Sequence, residues 1–257
     1  QVYMDFVEQE ANEENKVSSK IFDGDDFRYY NVTIERPLRL RSQFNALRID
    51  AMRYDSSDLE TSQWLYQTYG EQVYEGLETE IPSIKEYLNE QEIKMTDKKL
   101  VKLLSAKAWK ERCKLMEAAK ELMRIVGTEV FMDYNRFFAD VCTAAKKLKL
   151  DLKTAALGII ARAMSVTDPE AAPVIKKEHR ANSKDINNLL TIFGVPEERL
   201  TDYGYIAAKK SVYVEYEADS DLRDSEKIPV KEDIYEYFQR EVRPYVDDAW
   251  INLPSTK

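Results

Sequence analysis

The stretch IPVKEDIYEYFQREVRPYVDDAWI, residues 228–251, gathers carboxylates, arginines and aromatics into one short run. Glu232, Asp233, Glu236 and Glu241 are the residue types of a general acid and base. Their spacing speaks for a different role. Val230, Ile234, Phe238, Val242 and Tyr245 recur on one apolar helical face, which turns most of the acids toward water. Glu232 and Asp233 fall in the first turn and Arg240 and Arg243 toward the last, where the helix dipole favours each sign. Pro244 closes the helix. The run therefore predicts an amphipathic helix that packs, followed by Trp250 and Ile251, which need something to pack on. Ile234, Phe238, Val242, Trp250 and Ile251 are the candidates for packing against another domain or subunit.

Other chemistries find little support. Transferases of methyl, phosphoryl or hydride groups need a glycine turn where backbone amides approach a cofactor. The chain has seven glycines, none closer than six residues to another. A single histidine, His179, excludes mechanisms that need two and leaves no Cys/His zinc cluster. It stands in the polar run SVTDPEAAPVIKKEHRANSKD, with no nucleophile elbow in the chain, and is expected as an exposed loop residue. Cys113 and Cys142 each sit in an apolar helical stripe and are expected as buried small hydrophobes in a reducing compartment. No metal, cofactor-binding or catalytic residue is assigned.

The lysines are more informative. The chain carries a formal charge of −9, which does not suit a free-standing DNA-binding protein. Residues 94–153, however, hold 15 basic and 8 acidic residues, +7, which leaves −16 on the rest. Segregated charge of this kind suits a face that meets an anion. Lys98, Lys99, Lys102, Lys107, Lys110 and Lys114, together with Lys146, Lys147 and Lys149, are the candidates for contact with a DNA backbone. Lysines without base-reading partners position a protein on phosphates without specifying sequence.

These residues need helices to carry them. In SAKAWKERCKLMEAAKELMRIVG, Trp109, Cys113, Met116, Ala119, Met123 and Val126 recur on one side, between Ser105 as N-cap and Gly127 as stop. Tyr134, Phe137, Phe138, Val141, Cys142, Ala145 and Leu148 repeat the pattern after Asp133 as N-cap, and Leu152, Ala156, Ile159, Ile160 and Ala163 follow. Three such helices with short joints predict a bundle. Helices are also expected over 58–77, from Pro82 onward, and over 186–193. Strands are expected only near 27–34 and 212–217, and a helix ends within 2–11 before a polar linker. The fold class is thus expected to be mainly α, a helical bundle with a few short peripheral strands. Its divisions are a linker and strand over 1–41, a helical domain over 42–204, and a strand with a C-terminal amphipathic helix over 205–257. At 44% hydrophobic and 33% charged the composition is globular, with no apolar run near the ~20 residues of a membrane span.

Two stretches resemble a known family. SKIFDGDDFRYYNVTIERPLRLR (19–41) and DSDLRDSEKIPVKEDIYEYFQREVRPYVDDAWI (219–251) are similar to segments in the C-terminal part of the modification (M) subunit of type I restriction–modification systems, the long-form DNA adenine methyltransferases. In the first, an aromatic strand runs into Val/Ile-Glu-Arg-Pro-Leu-Arg-Leu. In the second, a Leu-Arg-Asp segment leads to the helix and its Asp-Ala-Trp-Ile ending. The family usually has Gly at Arg28 and His at Tyr245. Its glycine-rich S-adenosylmethionine motif and Asn-Pro-Pro-aromatic catalytic motif do not occur here, so the resemblance implies an excised region downstream of a catalytic domain. It implies S-adenosylmethionine for the parent enzyme, which methylates adenine N6, and no cofactor in this chain. It also implies a specificity (S) subunit, a restriction (R) subunit and double-stranded DNA as partners, no membrane, and a cytoplasmic location. The expected role is non-catalytic assembly around DNA. The alternative is a free-standing helical protein–protein adaptor.

Overall fold

The computed structural model describes residues 22–257, and the helix end and linker expected before residue 21 lie outside them. Two compact units make up the described residues, one of 22–38 with 174–257 and one of 39–173. The chain starts in the first unit with strand β1 (Tyr29–Glu35). It then builds the second unit: β2 (Leu40–Ser42), α1 (Ala46–Ala51), α2 (Leu59–Tyr69), α3 (Ile81–Glu90), α4 (Asp97–Leu104), α5 (Ala106–Val126), α6 (Tyr134–Lys147), α7 (Thr154–Ala163) and β3 (Ser165–Thr167). It returns to the first unit with β4 (Ile175–Arg180), α8 (Lys184–Thr191), β5 (Tyr205–Lys209), β6 (Val212–Tyr216), β7 (Asp224–Pro229), α9 (Ile234–Tyr237) and β8 (Trp250–Asn252).

The helical unit follows its sequence pattern. In α5, Trp109, Met116, Ala119 and Leu122 are buried, and α5, α6 and α7 pack on one another. The Trp109 ring is fully enclosed, and its Nε1 donates to the Leu103 carbonyl at 2.8 Å. That removes the cost of burying an indole N–H. Asp133 caps α6 as expected, accepting from the amides of Asn135 and Arg136. Ser105 occupies the N-cap position of α5 but its hydroxyl makes no capping bond. The helix expected over 58–77 is α2 followed by a 3₁₀ stretch, Gly70–Tyr74. Gly70 has φ +53, which breaks the α-helical course. Cys113 and Cys142 are half-buried free thiols rather than fully buried ones.

The sheet unit departs most from expectation. A mainly α bundle with peripheral strands is incorrect: 52% of the structure is helical and 18% is strand, in three small antiparallel sheets, a mixed α/β protein. One sheet has the order β7-β1-β8 and another β4-β6-β5; the two-stranded pair β2-β3 belongs to the helical unit. Strands β1 and β6 stand where they were expected. The others escape because each is short or carries little apolar alternation. β4 reads IKKEHR and buries only His179 among its six residues. A strand of that composition forms because β6, with Val214 buried, lies beside it.

The unit boundaries also differ from divisions at 42 and 205. The pairing of β4 with β6 gathers 174–204 to the first unit. Both junctions are tied by hydrogen bonds. Val174 N donates to the Leu38 carbonyl at 2.8 Å within the sheet unit, and Arg39 bridges Pro173 within the helical one.

Candidate nucleic-acid interface

All nine candidate lysines are exposed, and all lie in the helical unit. Lys98, Lys99 and Lys102 ride on α4, Lys107, Lys110 and Lys114 on α5, and Lys146 and Lys147 close α6. Each helix supplies them for a local reason. Leu100, Leu103 and Leu104 take the buried side of α4, which leaves the intervening positions to charge. In α5, Lys107 precedes the buried Trp109, and Lys110 and Lys114 fall between it and the buried Met116. At the end of α6, Lys146 and Lys147 meet the negative pole of the helix. Lys149 follows with φ +53, in the turn that reverses the chain toward α7.

Two of the nine are committed elsewhere. Lys99 Nζ lies 2.7 Å from Asp58 Oδ1, and Lys107 Nζ lies 4.0 Å from Glu111 Oε1. Lys98, Lys102, Lys110, Lys114, Lys146, Lys147 and Lys149 make no ion pair among the described residues. Charge without a protein counterion is what a phosphate surface requires.

The lysines do not form one uninterrupted field. Lys114 shares a groove of about 270 Å³ with Glu117, Glu121 and the turn Leu150–Leu152, where Asp151 adds a third carboxylate. Glu117 is paired with Lys120 at 2.9 Å and Glu121 with Arg124 at 2.6 Å, so two of these acids are neutralised on their own helix.

Beneath α5 a charged pair anchors the helix to the segment before α2. Arg112 Nη1 donates to Asp55 Oδ2 at 2.9 Å and Nε donates to the Arg53 carbonyl at 3.1 Å. Burial raises the Asp55 carboxyl, but hydrogen bonds from Ser57 and the charges of Arg112 and Lys102 outweigh it and hold it below the ordinary value. Burial lowers the Arg112 guanidinium, with Asp55 and Tyr74 opposing. Lys102 thus works on a neighbouring carboxylate while its own ammonium stays in water.

The five packing candidates lie in the sheet unit. Phe238 is fully buried, Val242, Trp250 and Ile251 are buried, and Ile234 is half-buried. Phe238, Val242 and Ile251 cluster with Val32, Ile34, Ile228 and Ala249, with Ile234 packed against them. These side chains are the core of their own unit. Trp250 and Ile251 find their packing as β8, paired with Glu35 and Ile34 of β1. The helix around them is not a single regular one: α9 runs into a π-helical turn over Phe238–Val242, in which Arg243 N donates to the Phe238 carbonyl. Tyr245, expected on the apolar face, is 83% exposed.

His179 is a correction. It is a strand residue in β4, with a side chain only 1% exposed, and not an exposed loop residue. Its Nε2 is 2.8 Å from Glu215 Oε2 and its Nδ1 is 3.4 Å from Asp185 Oδ2. Nothing local in KKEHR signals this, because both carboxylates arrive from later elements. The one available signal is the strand expected near 212–217, which needs a partner strand.

Among the described residues no group of three or more His, Cys, Asp or Glu is placed to hold a metal, and no helix is long and apolar enough to cross a membrane. Comparison of the chain with family models, with curated proteins and with solved structures finds no match.

Proposed function

We propose that this chain is a non-catalytic assembly and DNA-embracing region of the modification subunit of a type I restriction–modification DNA adenine methyltransferase. It works in the cytoplasm with the specificity and restriction subunits, and the parent enzyme uses S-adenosylmethionine. The observation that carries the reading is the exposure of all nine lysines on the helical unit, seven of them without an ion pair among the described residues. The sheet supports it from another side. The two stretches that carry the family resemblance lie far apart in sequence, yet β1 of the first pairs with β7 and β8 of the second. They behave as one structural unit, as parts of a shared family module would.

In this reading the lysines bind phosphates and set position, while sequence is read by another subunit. The test is charge reversal at Lys98, Lys110 and Lys114 in the assembled enzyme. Lys99 is left alone because Asp58 holds it. Affinity is expected to fall equally for target and non-target DNA, and the slope of log K against log salt to flatten by about three. Unchanged affinity and slope with lost subunit association would make the surface a protein interface, the adaptor reading.

A further inference from the structure

One end of the sheet β4-β6-β5 gathers cations, and the strand register brings them together. Arg180 of β4 and Lys209 of β5 both stand beside Val212 of β6, on its two flanks. Lys210 follows in the hairpin turn, where Ser211 has φ +59. The Ser211 carbonyl accepts from Ala181 N at 3.0 Å, and the Arg180 carbonyl accepts from Ser183 N at 2.8 Å. These bonds draw the start of α8, with Lys184, to the same end. Arg180, Lys184, Lys209 and Lys210 are all exposed.

Their surroundings leave this charge uncompensated. Elsewhere on β4, Lys176 reaches Glu215 Oε1 at 2.5 Å and Lys177 reaches Asp185 Oδ2 at 3.2 Å. Arg199 and Lys227 lie over the rings of Tyr235 and Tyr29. Arg180, Lys184, Lys209 and Lys210 make no ion pair among the described residues. Of the acids near them, Asp185 is held by Lys177. Glu197 accepts from the Tyr213 hydroxyl at 2.7 Å, on the face of the sheet away from Val212. Glu178, exposed on β4, is the free carboxylate beside them. Four cations set against it repel one another, and an outside anion relieves that repulsion.

We propose that this end of the sheet is a second contact for the phosphate backbone of duplex DNA. The partner rests on the DNA-facing reading of the chain, whereas the residues are separate from the lysines of the helical unit. The residues around the four cations are small: Ala181, Asn182, Ala207, Ala208 and Ser211. The surface therefore lacks the large apolar anchor that carries a protein interface or enters a lipid bilayer. It offers charge alone, through side chains that hold phosphates without reading bases.

A DNA duplex of arbitrary sequence, added to the whole chain at low salt, tests this through backbone amide signals. Those of Ala181, Ala208 and Ser211 are expected to shift saturably. Lys209→Gln with Lys210→Gln should weaken the binding they report about tenfold and flatten the slope of log K against log salt by about two. Both side chains are exposed, so the double variant keeps its fold. Shifts in α4 and α5 with the hairpin signals unmoved would sink this surface and spare the DNA-facing reading. Shifts at the hairpin with α4 and α5 unmoved would uphold the surface and remove the helical lysines from that reading. Poly-glutamate or phosphatidylserine vesicles binding at the hairpin as tightly as the duplex would overturn the proposal, as would an unchanged salt slope in the double variant.

Discussion

The helical unit and the sheet unit are built from opposite kinds of contact. In the first, α4 adjoins α5 in sequence, and α5, α6 and α7 follow one another through short turns. Its apolar cluster joins residues 65–109, from Leu65 to Trp109. In the second, the partners are remote: Glu35 and Arg223, which share a hydrogen bond, lie 188 positions apart. Buried Glu35 also accepts from Asn252 Nδ2 at 3.0 Å. The difference teaches where each unit's identity lies. The helical unit is specified turn by turn, whereas the sheet unit exists only once both ends of the chain are present.

The strongest test of that contrast is excision. Leu38 and Val174 are hydrogen-bonded neighbours, so a short glycine-containing turn joining them in place of 39–173 should leave the sheet unit folded. Backbone amide exchange in β1 and β6 reports the outcome. Unprotected amides there would mean that the sheet unit depends on the helical one. The next largest effect is Trp109→Ala. Losing a large enclosed ring should cost about 3–5 kcal/mol in chemical denaturation. Protection should fall in α4 and α5 while the β1–β7 amides keep theirs; equal loss in both would show one cooperative block. The smallest effect is acid sensitivity. The Asp55 carboxyl is held below its ordinary value of 3.8, so it stabilises the fold above that pH and loses the contribution as pH falls through its depressed folded value. Asp55→Asn should therefore flatten the loss of stability below pH 3.8 in acid titrations of the helical unit. An unchanged acid profile would remove Asp55 from the account.

The legibility of the sequence follows the same division. The stripe from Trp109 to Val126 announced α5, since a helix needs only its own residues to show its period. Trp109 was readable as core for the same reason. The nine lysines were readable as exposed, because they sit opposite those stripes. β4, β7 and β8 were not readable. KKEHR and DSEK look like solvated loop, and only a partner strand makes them strands. His179 was misjudged on the same account: its carboxylates come from α8 and β6, and no local pattern marks a residue whose surroundings arrive later. The run 228–251 is expected as one amphipathic helix that packs on another domain or subunit; its buried side chains instead pack within their own unit, on β1, the strand nearest the start of the described chain.

The remoteness of that partner has a consequence for how the protein is made. Synthesis delivers β1 long before β7 and β8 exist. At ~5–20 residues per second, a gap of this length keeps β1 waiting roughly 10–40 s on the ribosome. During that interval Val32 and Ile34 have no sheet to enter, and their strand is an open template for another nascent chain. The helices of 39–173 can close meanwhile, since they need nothing from either end. The molecule is thus assembled from the middle outward. The hazard lies in β1, and slower translation should raise aggregation through it rather than through the helices.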